Sequence, residues 1–187
     1  MGAAWLSGIK LYASVLTLGL LQRFGFAHLP GDLRILGDWW IITAAGLLCL
    51  VEFIADKIPV VDSAWDAVHT FIRVPAGAVL AAAAFGHFDS RVRLLAFLLG
   101  GGVALASHGT KAAARLAVNA SPEPFSNVAL SALEDAGSVA MSLLAAFHPV
   151  ATLVLVVLLV GVGFLIVRKI ARAIRSLFRV TRPKTAC

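Results

Sequence analysis

The chain has 187 residues, 60% of them hydrophobic and 14% charged, with a net charge of +6 and a mean hydropathy of +0.92. Soluble domains run at about 45–50% apolar and about 25% charged. A soluble globular protein is therefore excluded, because it would expose aggregating apolar patches, and the composition is that of a polytopic membrane protein.

About six spans are predicted in chain order. The first covers roughly residues 4–24; Lys10 and Arg23 near its ends can snorkel to the interface, the favoured reading for Arg23. Lys10 falls inside the apolar stretch rather than ahead of it, so this segment does not read as a cleaved signal. The second, 39–57, opens on the interfacial pair Trp39 and Trp40 and closes on charge. The third is about 67–86, the fourth about 93–118 and the fifth about 128–147. The sixth, 149–167, carries no polar side chain beyond Thr152. A hydrocarbon core of about 30 Å needs about 20 residues per helix, so each is long enough.

Seven of the sixteen Lys and Arg residues fall in the last twenty positions. There Ile170, Ile174, Leu177 and Phe178 recur at helical spacing, with Arg168, Arg172, Arg175 and Arg179 opposite. The expectation is a C-terminal amphipathic helix lying on the membrane surface against anionic lipid, in the cytoplasm. Six spans then put the N-terminus in the cytoplasm too; Arg91 and Arg93 oppose that orientation and are outweighed. Nucleic acid is not an expected partner, since Phe178 is the one stacking platform among these charges.

The predicted organisation is all-α: a transmembrane helical domain over 1–167 and a basic cytoplasmic tail over 168–187. The spans also divide into two sets of three. Spans two and five carry acids within apolar runs, and spans three and six contain Pro75 and Pro149 followed by aliphatics. Three spans per set would invert the second copy, giving a 3+3 inverted repeat with broken helices, a transporter plan.

The stretch VEFIADKIPVVDSAWDAVHTFIR, residues 51–73, concentrates charge beside an apolar run. Glu52 and Asp56 share a helix face, Lys57 follows, and Pro59 breaks the helix. Beyond it Asp62, Asp66, His69 and Arg73 stand at i, i+4, i+7 and i+11, again on one face. A complementary stripe follows in His108, Lys111, Arg115 and Asn119, ending at the proline-rich turn NASPEP. Asn127 can cap the next helix, which carries Ser131, Glu134 and Asp135 into the membrane. Non-helical backbone at membrane depth must be covered by protein or water, so these breaks suggest a wet vestibule.

Charges at mid-bilayer cost at least about 2.5–3.5 kcal/mol each on insertion scales, so they are expected to face one another rather than lipid. One reading makes them structural salt bridges; the sharper one makes some of them an ion or proton pathway. The candidate ion- or solute-binding residues are Glu52, Asp56, Lys57, Asp62, Asp66, His69, His108, Lys111, Arg115, Asn119, Glu134 and Asp135. Of these Glu52, Asp56, Lys111, Arg115, Glu134 and Asp135 sit deepest by hydropathy, whereas Asp62, Asp66 and Arg73 suit interface or loop roles. No metal centre is expected: His69 and His108 form no His-x-x-His pattern, and Cys49 and Cys187 have no ligand spacing. Oxygen-rich groups of this kind suit hard cations. Catalytic motifs are missing, so neither an enzyme nor a cofactor is expected. The glycines at 100–102 are read as permitting close helix packing.

The segments VEFIADKIPVVDSAWDAVHTFIRVPAGAVLAAA and HGTKAAARLAVNASPEPFSNVALSALED, with the closing FHP, together resemble the bacterial membrane family catalogued as domain of unknown function 4126, over about residues 5–165. The resemblance implies a small integral membrane protein without an assigned activity. In EFIADK the acids stand four apart and no glycine intervenes, unlike the Glu-x-Gly-Asp-Lys-Thr motif of cation exchangers.

The expected function is a small transporter or channel for a small ion or solute, proton- or cation-coupled. The alternative is a lipid-handling or scaffold protein whose charges are salt bridges. Expected partners are the bilayer, anionic lipid at the tail and a small ion or solute, with self-association admitted. The expected location is the bacterial inner membrane, multi-pass, with both termini cytoplasmic.

Overall fold

The computed structural model describes residues 1–119 and 124–180, without the side chains of residues 59, 60, 63, 119, 124, 127, 170, 171 and 173–180. Six α-helices make up the described residues: α1 (Gly2–Arg23), α2 (Trp39–Ala55), α3 (Pro59–Ala84), α4 (Ser90–Asn119), α5 (Pro124–Phe147) and α6 (Pro149–Val180). A 3-10 helix, Gly31–Gly37, links α1 to α2. Five helices are long and apolar enough to span a bilayer, or up to six if the 3-10 helix and α2, bent 72° from each other, make one span. By itself α2 has 17 residues, about 25 Å at about 1.5 Å per residue, short of the hydrocarbon thickness. These helices are consistent with a multi-pass membrane protein.

Local sequence explains the breaks. Asp56 caps α2, and Ile58 takes an extended conformation (φ −111°, ψ 107°) directly ahead of Pro59 in the first turn of α3. Proline disfavours helical geometry in the residue before it and costs no hydrogen bond in the first turn. The third helix therefore starts eight residues before the expected 67 and carries Asp62 and Asp66 within it. Pro75 lies inside α3, where it removes one backbone donor. Nearby, the buried Ser7 hydroxyl donates to the Arg73 carbonyl at 2.5 Å.

One break was not expected. Lys10, in the middle of α1, has φ −143° and ψ 80°. Ser14 Oγ donates to the Lys10 carbonyl at 2.7 Å. This irregular backbone is wholly covered by protein, which is the condition for tolerating it at membrane depth.

The bundle forms around α1, which packs on α3, α4 and α5, and α3 also packs along α4. Small residues allow these approaches. A Cβ on Gly8 would lie 1.8 Å from Ser107 Oγ of α4, and one on Gly100 would lie 2.3 Å from Ala81 Cβ of α3. In lipid such close van der Waals contact replaces the hydrophobic drive for helix association. The outer faces are apolar and exposed, as at Leu50, Phe71, Leu98, Leu133 and Leu158.

The α1–α3 packing has a counterpart in α4–α6, but other helix pairings do not recur between the two halves. Under a 3+3 repeat the extensive α3–α4 packing would be matched between α6 and α1, which among the described residues touch only slightly. The C-terminal expectation is also revised. Rather than beginning a separate surface helix, the chain from Arg168 onward continues α6 as far as Val180. Its 32 residues span about 48 Å, more than the hydrocarbon core, so the end projects beyond it. Most side chains of that segment, and residues 120–123 and 181–187, lie outside the described residues. Asn127 does not cap the fifth helix, which already begins at Pro124 and carries Asn127 within it.

Candidate functional site

Five of the six helices deliver charge to one buried cluster: Lys10 from α1, Glu52 and the capping Asp56 from α2, Asp62, Asp66 and Arg73 from α3, Lys111 and Arg115 from α4, and Glu134 and Asp135 from α5. The α2–α3 break makes this convergence possible, because it brings the C-terminal end of α2 and the first turns of α3 to one side of α1. The spacing of Asp62, Asp66 and Arg73 then turns all three inward, as one helix face must.

The ion pairs interlock. Lys10 Nζ bonds Asp56 Oδ2 and lies 2.8 Å from Asp135 Oδ1. Arg73 bonds Glu52 Oε1 through Nη2 and Asp66 Oδ1 through Nη1, the latter at 2.6 Å. Lys111 Nζ lies 3.2 Å from Asp66 Oδ1, 3.8 Å from Glu134 Oε2 and 3.9 Å from Asp56 Oδ1. Arg115 grips Glu134 with two donors, Nε at 3.2 Å and Nη2 at 2.6 Å, and sits 3.5 Å from Asp62 Oδ2. Such bidentate pairing is the strong form of a carboxylate contact.

Burial is nearly complete. Arg73, Asp56 and Asp62 are inaccessible, and Lys10 and Glu52 are 1% exposed. Asp135 is the most open member, its side chain 28% exposed. A charge in such a position is tolerable only when paired. Yet four cations here face six carboxylates. With every group ionised, two negative charges are unbalanced.

Asp62 shows where this imbalance is felt. Neither of its buried oxygens accepts a hydrogen bond. It borders a cavity of about 220 Å³ between α3 and α4, together with Asp66, Thr70, His108 and Arg115. On the cavity wall, His108 Nδ1 lies 3.2 Å from the Gly8 carbonyl and Nε2 lies 2.7 Å from Thr70 Oγ1. That threonine hydroxyl also stands 3.0 Å from the Asp66 carbonyl.

The remaining predicted residues lie apart. Lys57 stays outside the cluster: its ammonium donates to the Phe53 carbonyl at 3.1 Å and sits over the Phe53 ring. His69 is held by the Trp65 carbonyl at 2.8 Å and the Tyr12 hydroxyl at 3.1 Å, and stacks on Trp65. The Asn119 side chain lies outside the described residues.

Two corrections concern depth. Asp62, Asp66 and Arg73, read from sequence as interface or loop residues, are buried in the cluster. Lys10, for which snorkelling was one option, points inward and joins α1 to α2 and α5. The signal was available: a lysine eight residues into a 22-residue helix is far from either interface. Thr70 carried no sequence signal, since its role depends on facing His108 across two helices.

Among the described residues, no three His, Cys, Asp or Glu side chains converge in a way that could hold a metal ion. A second, apolar cleft of about 660 Å³ lies between α1, α5 and α6, walled by Trp5, Leu6, Leu133, Met141 and Leu159, with Glu134 among its lining.

A family model described as Domain of unknown function (DUF4126) matches residues 1–169. No curated protein and no solved structure matches the chain.

Proposed function

This chain belongs to the family described as Domain of unknown function (DUF4126), and we propose that it is a small secondary transporter or channel for a small ion or solute, proton- or cation-coupled, working through the buried charge cluster. The observation that carries the reading is the surplus of carboxylates over cations inside an apolar bundle. A structural salt-bridge network has no need of unbalanced charge, and removing the imbalance lowers the electrostatic cost. A site that takes up and releases positive charge accounts for it. In this reading Glu52, Asp56, Asp62, Asp66 and Glu134 supply negative charge, and Lys111 and Arg115 neutralise part of it in the empty state. No catalytic step is assigned, and the protein works in the bacterial inner membrane with both termini in the cytoplasm.

Purified protein in liposomes tests this. Proton or cation flux above that of empty liposomes is expected, with large losses in Glu52→Gln and Glu134→Gln. Flux equal to empty liposomes across a panel of cations and anions refutes it.

A second reading has its own observation. The apolar cleft beside Glu134 is large enough for part of an acyl chain, which favours lipid handling with the charges as structural pairs. Exchanging charges through Glu134→Lys with Lys111→Glu separates the two. Full function in the doubly exchanged protein favours structural pairing; its loss with the fold retained favours the transport site.

A further inference from the structure

The geometry points to Asp62 as the proton-binding carboxyl of the cluster, loaded and unloaded through the cavity between α3 and α4. This rests on the transport reading and names its coupling ion. Of the six carboxylates, Asp62 combines zero exposure with two oxygens that accept no hydrogen bond. A buried carboxylate without donors is poorly stabilised. A carboxylic acid is the form such an environment accepts.

The charged and titratable groups around it point the same way. Asp66 lies one turn along α3, and Asp56 caps α2. Arg115 approaches from α4 at 3.5 Å, and Lys111 stands in the same helix but lies nearer Asp66. His108, also on α4, borders the cavity, while Glu134 on α5 occupies two donors of Arg115. Among the described residues the cation close to Asp62, Arg115, is thus shared with a better-placed carboxylate. Burial accordingly pushes the Asp62 carboxyl up to about 6 from its ordinary 3.8, at a position just ahead of the span Ala64–Ala84.

A proton suits the site better than a metal ion, because the described side chains do not converge as a metal-ligand set. The cavity, about 220 Å³, is roomy enough for several waters at about 30 Å³ each, and one of these, admitted to the buried Asp62 oxygens by a shift of the wall side chains, supplies and receives the proton. In the loading step one O–H bond forms on Asp62, a hydronium ion gives up its proton, and the cluster loses one negative charge.

Its wall contains a partner for that step. The Gly8 carbonyl can only accept, so His108 must donate from Nδ1. The Thr70 hydroxyl then has two choices. It can donate to His108 Nε2 when the ring is neutral, or accept from Nε2 and donate to the Asp66 carbonyl when the ring is charged. Rotation of one hydroxyl lets the wall adjust to a passing proton without moving a helix.

Infrared difference spectroscopy of the intact protein in lipid nanodiscs tests the assignment without relying on flux. Between about pH 5 and pH 7 a protonated-carboxyl stretch should disappear, with a midpoint near 6. It should shift in wild-type protein grown on isotope-labelled aspartate, a measurement that needs no variant, and be absent from Asp62→Asn. Asp62→Glu should restore a titrating band that no longer responds to the aspartate label. A spectrum with no titrating carboxyl in this range, or a band unchanged in Asp62→Asn, overturns the proposal. So does a midpoint that falls with added sodium but not with choline, which replaces the proton by a metal cation. The band present without any flux leaves the proton site standing and removes the transport reading; flux without the band does the reverse.

Discussion

Replacing Lys10 by methionine isolates what the cluster does for stability. The ammonium is 1% exposed and serves Asp56 and Asp135, the second at 2.8 Å. At an effective dielectric of about 20 that pair attracts by about 6 kcal/mol. Desolvating each ion costs several kcal/mol, so the intact pair nets far less than its attraction. Removing one partner is different, because the desolvated carboxylates remain, and such losses run to about 3–5 kcal/mol. Asp56 keeps Lys111 and Arg115 within 4 Å, at 3.9 and 3.8 Å, and Asp135 is partly open to solvent. The expected cost of Lys10→Met is therefore about 3 kcal/mol, at the lower end of that range. Asp135→Asn should cost about 1 kcal/mol or less, because it removes negative charge from a cluster that has too much and ends a partly exposed pair. The double variant should recover about 1–3 kcal/mol relative to the sum of the single changes. The assay is reversible unfolding in mixed micelles titrated with dodecyl sulfate and followed by tryptophan fluorescence. A Lys10→Met protein within about 0.5 kcal/mol of wild type, or equal costs for the cation and the carboxylate, refutes the reasoning.

Gly100→Leu should destabilise by about 1–3 kcal/mol or more in the same assay, since the first added carbon would already lie 2.3 Å from Ala81 Cβ and 2.8 Å from the Gly77 carbonyl. Gly102→Leu, which has nothing within 4 Å of its added carbon, should change stability by less than about 0.5 kcal/mol. Asp62 should also tilt stability with pH. Its folded value of about 6 exceeds the ordinary 3.8, so between these values the folded protein holds a proton that the unfolded chain has released. The contribution of this group to stability thus falls as pH rises from about 4 to about 6 and is flat above that. Subtracting the Asp62→Asn profile from that of wild type should reveal this slope; a flat or rising difference contradicts it.

Helix periodicity exposed much of the charge cluster. The faces Glu52–Asp56, Asp62–Asp66–Arg73 and Lys111–Arg115 are visible as spacings of four and seven, and Pro59 announced the break between the first two. Periodicity did not separate the histidine that borders the cavity, His108, from the one that does not. His69 shares the register of Asp66 and Arg73, yet its ring nitrogens meet Trp65 and Tyr12 instead. Lys57 follows Asp56 directly, so it points off the shared face and turns to its own helix. Depth by hydropathy also misled. Asp62 and Asp66 stand near the start of a helix, where sequence suggests solvent, but α4 covers them.

The sequence by itself determined a membrane-like, all-helical chain and approximately where its helices run. In hydrocarbon each spanning helix must satisfy its own backbone, so apolar length is a local property that can be read segment by segment. Tertiary structure decided which charges meet. Lys10 reaches Asp56 and Asp135, far away along the chain, because α1 breaks at that residue and five helices close around it. Such pairing depends on how helices rotate and approach one another, and no local pattern encodes that.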